Sequence, residues 1–243
     1  MKGRTPATPS ALGERGRDTW KYRLRDTVLQ PFWVFSPTWG LANVLKRRSD
    51  KKQRAAMIRR LNWIYFLASL GILGLTIALT GNDLAIIRPE KYGWWTAILH
   101  YILLWRFFEI SYAFLRDAFD KLEKPESSSG LRWGDRVMLA MRSYVELVSN
   151  LALIYALFPR SAWLATDLPR PPSTVTDLVW YSANVITTSG DGGYIPGNIL
   201  LKLFSIGEVF CGVILLVVSF TIYTSRALGG EPVAAATRGQ VAR

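Results

Sequence analysis

Seven consecutive residues, Thr187-Thr188-Ser189-Gly190-Asp191-Gly192-Gly193, bring together three hydroxyls, one carboxylate and three glycines without an apolar side chain. Such a run suits the replacement of water around a cation. Hydroxyl, carboxylate and carbonyl oxygens are hard ligands, and a stack of carbonyls facing one axis needs backbone angles that alternate between the left-handed and right-handed regions. Glycine adopts both without steric cost, and Gly190 and Gly192 have the required spacing of two. Thr188 can add a hydroxyl below the carbonyl stack. Asp191 has two readings: an oxygen ligand near the mouth, for Ca2+ among other cations, or an acceptor for neighbouring backbone amides in a turn. Other chemistry finds little support. The chain has one cysteine, Cys211, and one histidine, His100, so a disulfide within the chain and a multi-cysteine zinc site are excluded. No nucleophile with a base partner, phosphate loop or metal-ligand cluster is evident, and the chain is not expected to be an enzyme or to need a cofactor.

A cation-handling run must be held by something, and the rest of the chain is built for a bilayer. Half of the 243 residues are hydrophobic, and they gather in long blocks. A helix needs about 20 mostly apolar residues to span the hydrocarbon. Leu61 to Thr80 supplies them with no charge; Trp94 to Leu115 carries His100, Arg106 and Glu109; Val137 to Phe158 carries Arg142 and Glu146; Leu203 to Tyr223 carries Glu208. The polar stretch between the third and fourth blocks contains a short amphipathic piece, Thr174 to Ile186, directly before the seven-residue run. Irregular backbone is tolerated at membrane depth only where it lines a water-filled cavity or is buried in protein, so a short helix followed by this run suits a re-entrant loop. A pore helix ending there would direct its negative C-terminal dipole at the cation. The expected fold is therefore all-α, with four transmembrane helices and one re-entrant pore helix and filter loop.

Charge sets the expected topology. Fifteen basic residues against four acidic ones precede Leu61, which predicts a cytoplasmic N-terminus; four spans return the C-terminus to the same side, with 159–198 outside. The net charge of +12 is thereby assigned to topology and to anionic lipid headgroups, not to nucleic acid. Met1 to Lys21 has no apolar core, so a cleavable signal peptide is not expected. Residues 1–19 read as a disordered basic tail. Residues 20–60 read as a cytoplasmic amphipathic segment anchored by Trp, passing into a basic helix before the first span. Residues 61–124 form a two-helix transmembrane unit, 125–136 a linker, 137–226 a pore domain and 227–243 a short tail. Arg106 with Glu109, and Arg142 with Glu146, are spaced for ion pairs within or between helices. One arginine in each of two spans does not make a voltage sensor.

The pattern Asp177-x-x-Trp180-Tyr181-Ser182, followed by Thr187 to Gly193 and then Tyr194-Ile195-Pro196, resembles the pore loop of the two-helix potassium-channel superfamily, whose filter reads Thr-Thr-Val-Gly-Tyr-Gly-Asp. The resemblance covers Val137 to Arg226. It implies a homotetramer, since one filter cannot surround an ion, with Trp180 and Tyr181 supporting the filter and Gly212 near the position of the inner-helix hinge. Ser189, Asp191 and Gly193 depart from the pattern. Asp191 is similar to the filter of the bacterial nonselective sodium and potassium channel, which implies a widened outer vestibule, lower sites kept by Thr188 and Ser189, and weak discrimination between permeant K+ and Na+. The surroundings add support residues and a gate. Glu208 in an apolar helix is costly unless it meets protein or water, and is expected behind the filter, bonded to the pore loop. Gly207 and Gly212 serve either as bending points or as close-packing positions. Val213, Leu216, Val217 and Phe220 could form a constriction that gates by dewetting. The membrane is expected to be the plasma or inner membrane. A potassium-selective channel with an atypical filter, and a non-conducting scaffold on the channel fold, remain as alternatives.

Overall fold

A computed structural model describes residues 51–84, 93–123, 131, 133–164, 171–219, 221 and 224. The expected basic tail, most of the Trp-rich segment, residues 125–130 and 132 of the linker and the C-terminal tail lie outside them.

The first described helix, α1, spans Lys51–Thr80, so the basic stretch before Leu61 and the apolar block are one continuous helix. Two further long helices, α2 (Gly93–Glu123) and α3 (Trp133–Ala156), follow. The short α4 (Val175–Ile186) precedes the glycine-rich run, and α5 (Ile199–Gly212) follows it. Three of these helices, α1, α2 and α3, are long and apolar enough to cross a membrane, and so is α5 together with the turn that continues it, Ile199–Leu216. The described residues contain no strand, only two isolated bridges. The all-α membrane architecture agrees with the sequence reading.

One boundary differs in kind. The last apolar block is not a single α-helix: α5 starts one turn before Leu203 and gives way after Gly212 to a π-helical segment, Val213–Ser219. Widened turns of this sort insert a residue into the helical register and often mark functional places. Here the change begins where Gly212 is jammed against α4: a Cβ there would collide with the backbone carbonyl of Ile186. Gly207 likewise lies against Phe107, 3.2 Å from where its Cβ would sit. Both glycines are thus used for close approach.

α3 occupies the middle. Leu147, Leu151, Ala152, Ile154 and Tyr155 on it are fully enclosed, and α1, α2, α4 and α5 pack around it. The two-helix unit and the pore unit are therefore not separate bodies but share one core. Charges placed in the spans hold them together. Arg106 of α2 grips Glu146 of α3 through Nε (2.6 Å to Oε1) and Nη2 (3.3 Å to Oε2), reaches Glu109 at 3.2 Å and lies 4.0 Å above the Tyr65 ring of α1. The expected Arg142–Glu146 pair does not form; Arg142 lies 4.1 Å over Trp63 instead. Side chains lean toward the helix N-terminus, so Arg142, N-terminal to Glu146, points away from it, whereas a fork from the neighbouring helix reaches both carboxylate oxygens.

Candidate functional site: the re-entrant loop

α4 is fastened at both ends before the loop begins. Its N-terminus is a capping box: Thr174 Oγ1 accepts from the Asp177 amide at 3.0 Å, and Asp177 Oδ2 accepts from the Thr174 amide at 2.9 Å. Asp177 also accepts from the Ser173 amide at 2.9 Å. Partial burial pushes this carboxyl up, but the donated amides of Ser173 and Thr174 outweigh it and hold the group below its ordinary value. Burial and the neighbouring Asp177 carboxylate push the Tyr194 hydroxyl, beyond the loop, above its ordinary value. The segment before α4 and the segment after the loop are tied to each other as well. Trp163 and Pro196 form a bridge, and the amides of Gly197 and Asn198 both donate to the Ala162 carbonyl, at 2.8 and 2.9 Å.

The apolar face of α4, Val175, Leu178, Tyr181, Ser182, Val185 and Ile186, is buried. Tyr181 packs edge-on against Tyr155 and Trp163 and bonds Ser205 of α5 at 2.6 Å. Glu208, fully enclosed, accepts from the Tyr155 hydroxyl at 2.6 Å and from the Ser182 hydroxyl. It therefore joins α5 to α3 and to α4. Its contact is with the pore helix, not with the loop itself. Tyr155 carries no signal in the sequence beyond being a polar residue in an apolar helix, and Ser182, though part of the pore-loop pattern, gives no sign there of its bond to Glu208. The Thr174-x-x-Asp177 spacing is a readable capping box that was missed.

The loop leaves α4 through a Schellman-type cap, with Thr188 in the left-handed conformation just past the C-cap Thr187. Amides of Thr187, Thr188 and Ser189 donate to the carbonyls of Ala183, Val185 and Asn184, at 3.3, 3.0 and 2.9 Å. Positive φ then occurs at every second residue: Thr188 (58°), Gly190 (130°) and Gly192 (59°), with Gly193 (88°) following. Glycine suits the latter three. Thr188 is β-branched, for which this region is a real outlier costing on the order of 1–3 kcal/mol, the kind of strain found at functional positions. Asp191 Oδ1 accepts from the Gly193 amide at 3.0 Å, and the Tyr194 amide donates to the Asp191 carbonyl at 3.0 Å, so the carboxylate serves the turn. Trp180 lies beneath Gly192, its Cδ1 3.1 Å from where a Cβ would sit, and its backbone carbonyl accepts from Asn184 Nδ2 at 2.7 Å.

Residues 187–191 and Gly193 are exposed in the single copy, as is Trp180 at 60%. Of the suggested gate, Val213 and Leu216 are exposed, Gly207 and Gly212 are packed as described, and Phe220 and the Val217 side chain lie outside the described residues. Among the described residues no group of His, Cys, Asp and Glu could hold a metal ion by side chains alone.

Residues 144–228 match a family model described as an ion channel. That range takes in most of α3, all of α4, the loop and α5. No curated protein and no solved structure matches the chain. The multi-pass, all-α membrane chain thus carries, from the outer helix through the loop to the inner helix, a domain similar to the ion channels of the pore-loop class.

Proposed function

We propose that the protein is a passive cation channel, a homotetramer whose four copies of 187–193 surround one axis, and that it discriminates weakly between Na+ and K+. The observation that carries this reading is the positive φ at Thr188, Gly190 and Gly192, placed at the C-terminal end of a short buried helix within the ion-channel match. That alternation is what a column of inward carbonyls requires. Assembly is supported by what a single copy leaves bare. On α5, Ile199, Leu203, Ile206 and Phe210 form an exposed apolar stripe at helical spacing, which Val213 continues at the start of the π-helical segment. Weak selectivity rests on Ser189, Asp191 and Gly193, which replace the residues of the potassium filter, and Ca2+ is a candidate ligand at the Asp191 ring. In this reading both termini are cytoplasmic, in a plasma or inner membrane. The basic N-terminal segment lies against anionic headgroups, and nucleic acid is not a partner.

Purified protein in liposomes under opposed Na+ and K+ gradients tests this. A reversal potential near zero is expected. A value at the potassium potential would assign a potassium channel with an atypical filter, and silence under every condition would assign a non-conducting scaffold.

A further inference from the structure

The ion-channel match begins at residue 144, yet a residue far upstream is bonded into the pore helix. After Thr80, Gly81 (φ 57°) and Asn82 (φ 69°) reverse the chain, and the Asn82 amide donates to the Ile77 carbonyl at 3.0 Å, closing the end of α1. Asparagine is among the few side-chain-bearing residues that tolerate this conformation. From there Asn82 faces the N-terminus of α4 with two acceptors. Its backbone carbonyl accepts from the Val175 amide at 3.2 Å. Its Oδ1 accepts from both the amide and the hydroxyl of Thr176, each at 3.0 Å. Asp83 pairs with Thr174, and the Leu84 amide donates to the Ser173 carbonyl at 3.1 Å.

A helix leaves its first four amides without partners inside it. Thr174 serves the Asp177 amide, and Asn82 serves those of Val175 and Thr176, from 94 positions away in the case of Thr176. The first turn of α4 is thus completed by α1, a helix outside the channel match whose Ile64, Leu67, Leu75 and Leu79 are exposed.

We infer that Asn82 is a positioning residue for the ion-conducting loop, fixing the N-terminus of α4 and, through that rigid helix, the backbone of 187–193 at its other end. The inference rests on the channel reading above. Twelve residues make a rod about 18 Å long, so a change of tilt where Asn82 holds it displaces the loop at Thr187. The same bonds carry any movement of α1 in the bilayer to the loop.

The full-length protein in liposomes provides the test. Asn82→Gly keeps the reversed backbone and its carbonyl and removes only Oδ1, whereas Asn82→Asp keeps the acceptor. Of the two bonds lost, the exposed Thr176 hydroxyl can turn to water, and loss of the one to its amide shifts a local equilibrium about five-fold. Asn82→Gly is therefore expected to shorten mean open duration about five-fold, with Asn82→Asp close to wild type. Hydrogen exchange at the amides of Thr187, Thr188 and Ser189, distant from the substitution, should rise by a similar factor in Asn82→Gly and not in Asn82→Asp. Unaltered open duration in Asn82→Gly overturns the inference and leaves the channel reading standing. So does faster exchange confined to the first turn of α4. Silence of the wild-type protein overturns the channel reading, and exchange at Thr187 to Ser189 then decides for or against positioning by Asn82.

Discussion

Asp191 carries the sharpest question at the scale of the residue. Its carboxylate is engaged with the Gly193 amide, yet it is exposed and sits where a tetramer would gather four copies. The two roles separate by charge. Asp191→Asn keeps an acceptor for the turn but removes the charge; if the ring concentrates cations, single-channel conductance should fall at low ionic strength and converge with wild type at 1 M salt, where screening is nearly complete, on the order of 3 Å. Equal conductance at all salt concentrations would leave Asp191 with the turn alone. Glu208 poses a question of stability. Glu208→Gln can still bond both hydroxyls, because each can donate or accept. Glu208→Leu strands the buried Tyr155 hydroxyl, at about 1–3 kcal/mol, while the Ser182 hydroxyl keeps the Val148 carbonyl as acceptor, and the thermal midpoint should fall below that of the Gln variant.

Elements are where the sequence was most legible and where its limits show. The apolar blocks gave α1, α2 and α3 because length and hydropathy suffice for a helix in hydrocarbon, and the amphipathic piece gave α4 to within one residue. Which charge meets which was not legible: Glu146 has candidates at Arg142 and Arg106, and only helix packing selects the latter. The π-helical segment was invisible for the same reason, since it arises where Gly212 meets the end of α4. In the loop, Gly190 and Gly192 announced themselves, but Thr188 did not, because positive φ at a β-branched residue runs against its own preference. Asn82, just past the first apolar block, drew no attention in the sequence, and packing alone makes it part of α4's cap.

Two predictions belong to this scale. Arg106→Met leaves Glu146 buried without its fork and should cost about 3–5 kcal/mol in unfolding measurements; adding Glu146→Met should recover most of that loss, because the pair then becomes apolar together. Failure of the double variant to recover would mean that Arg106 acts mainly through Tyr65 or Glu109. At the N-terminus of α4, the Asp177 carboxyl is held below its unfolded value, so its contribution is complete above the ordinary carboxylate range and disappears as pH falls through the lowered value. Asp177→Asn should flatten that acid limb in a pH titration of stability; an unchanged limb would place the acid sensitivity elsewhere.

For the whole molecule, the proposed tetramer accounts for what the single copy leaves bare. Its core is closed around α3, while the loop, Trp180 and the apolar stripe of α5 lie open on the copy's surface. Polar backbone in an apolar medium must be satisfied by protein, water or ions, and four copies around an axis supply the first and enclose the other two. The most direct measurement is ion occupancy in the assembled protein, read by anomalous scattering from Tl+ or Rb+ soaked into its crystals. The account predicts axial density at the level of Thr188 and Ser189, opening above into a wide vestibule at Asp191. Evenly spaced density continuing through the level of Asp191 would contradict weak selectivity, and the absence of any axial density would contradict the pore itself.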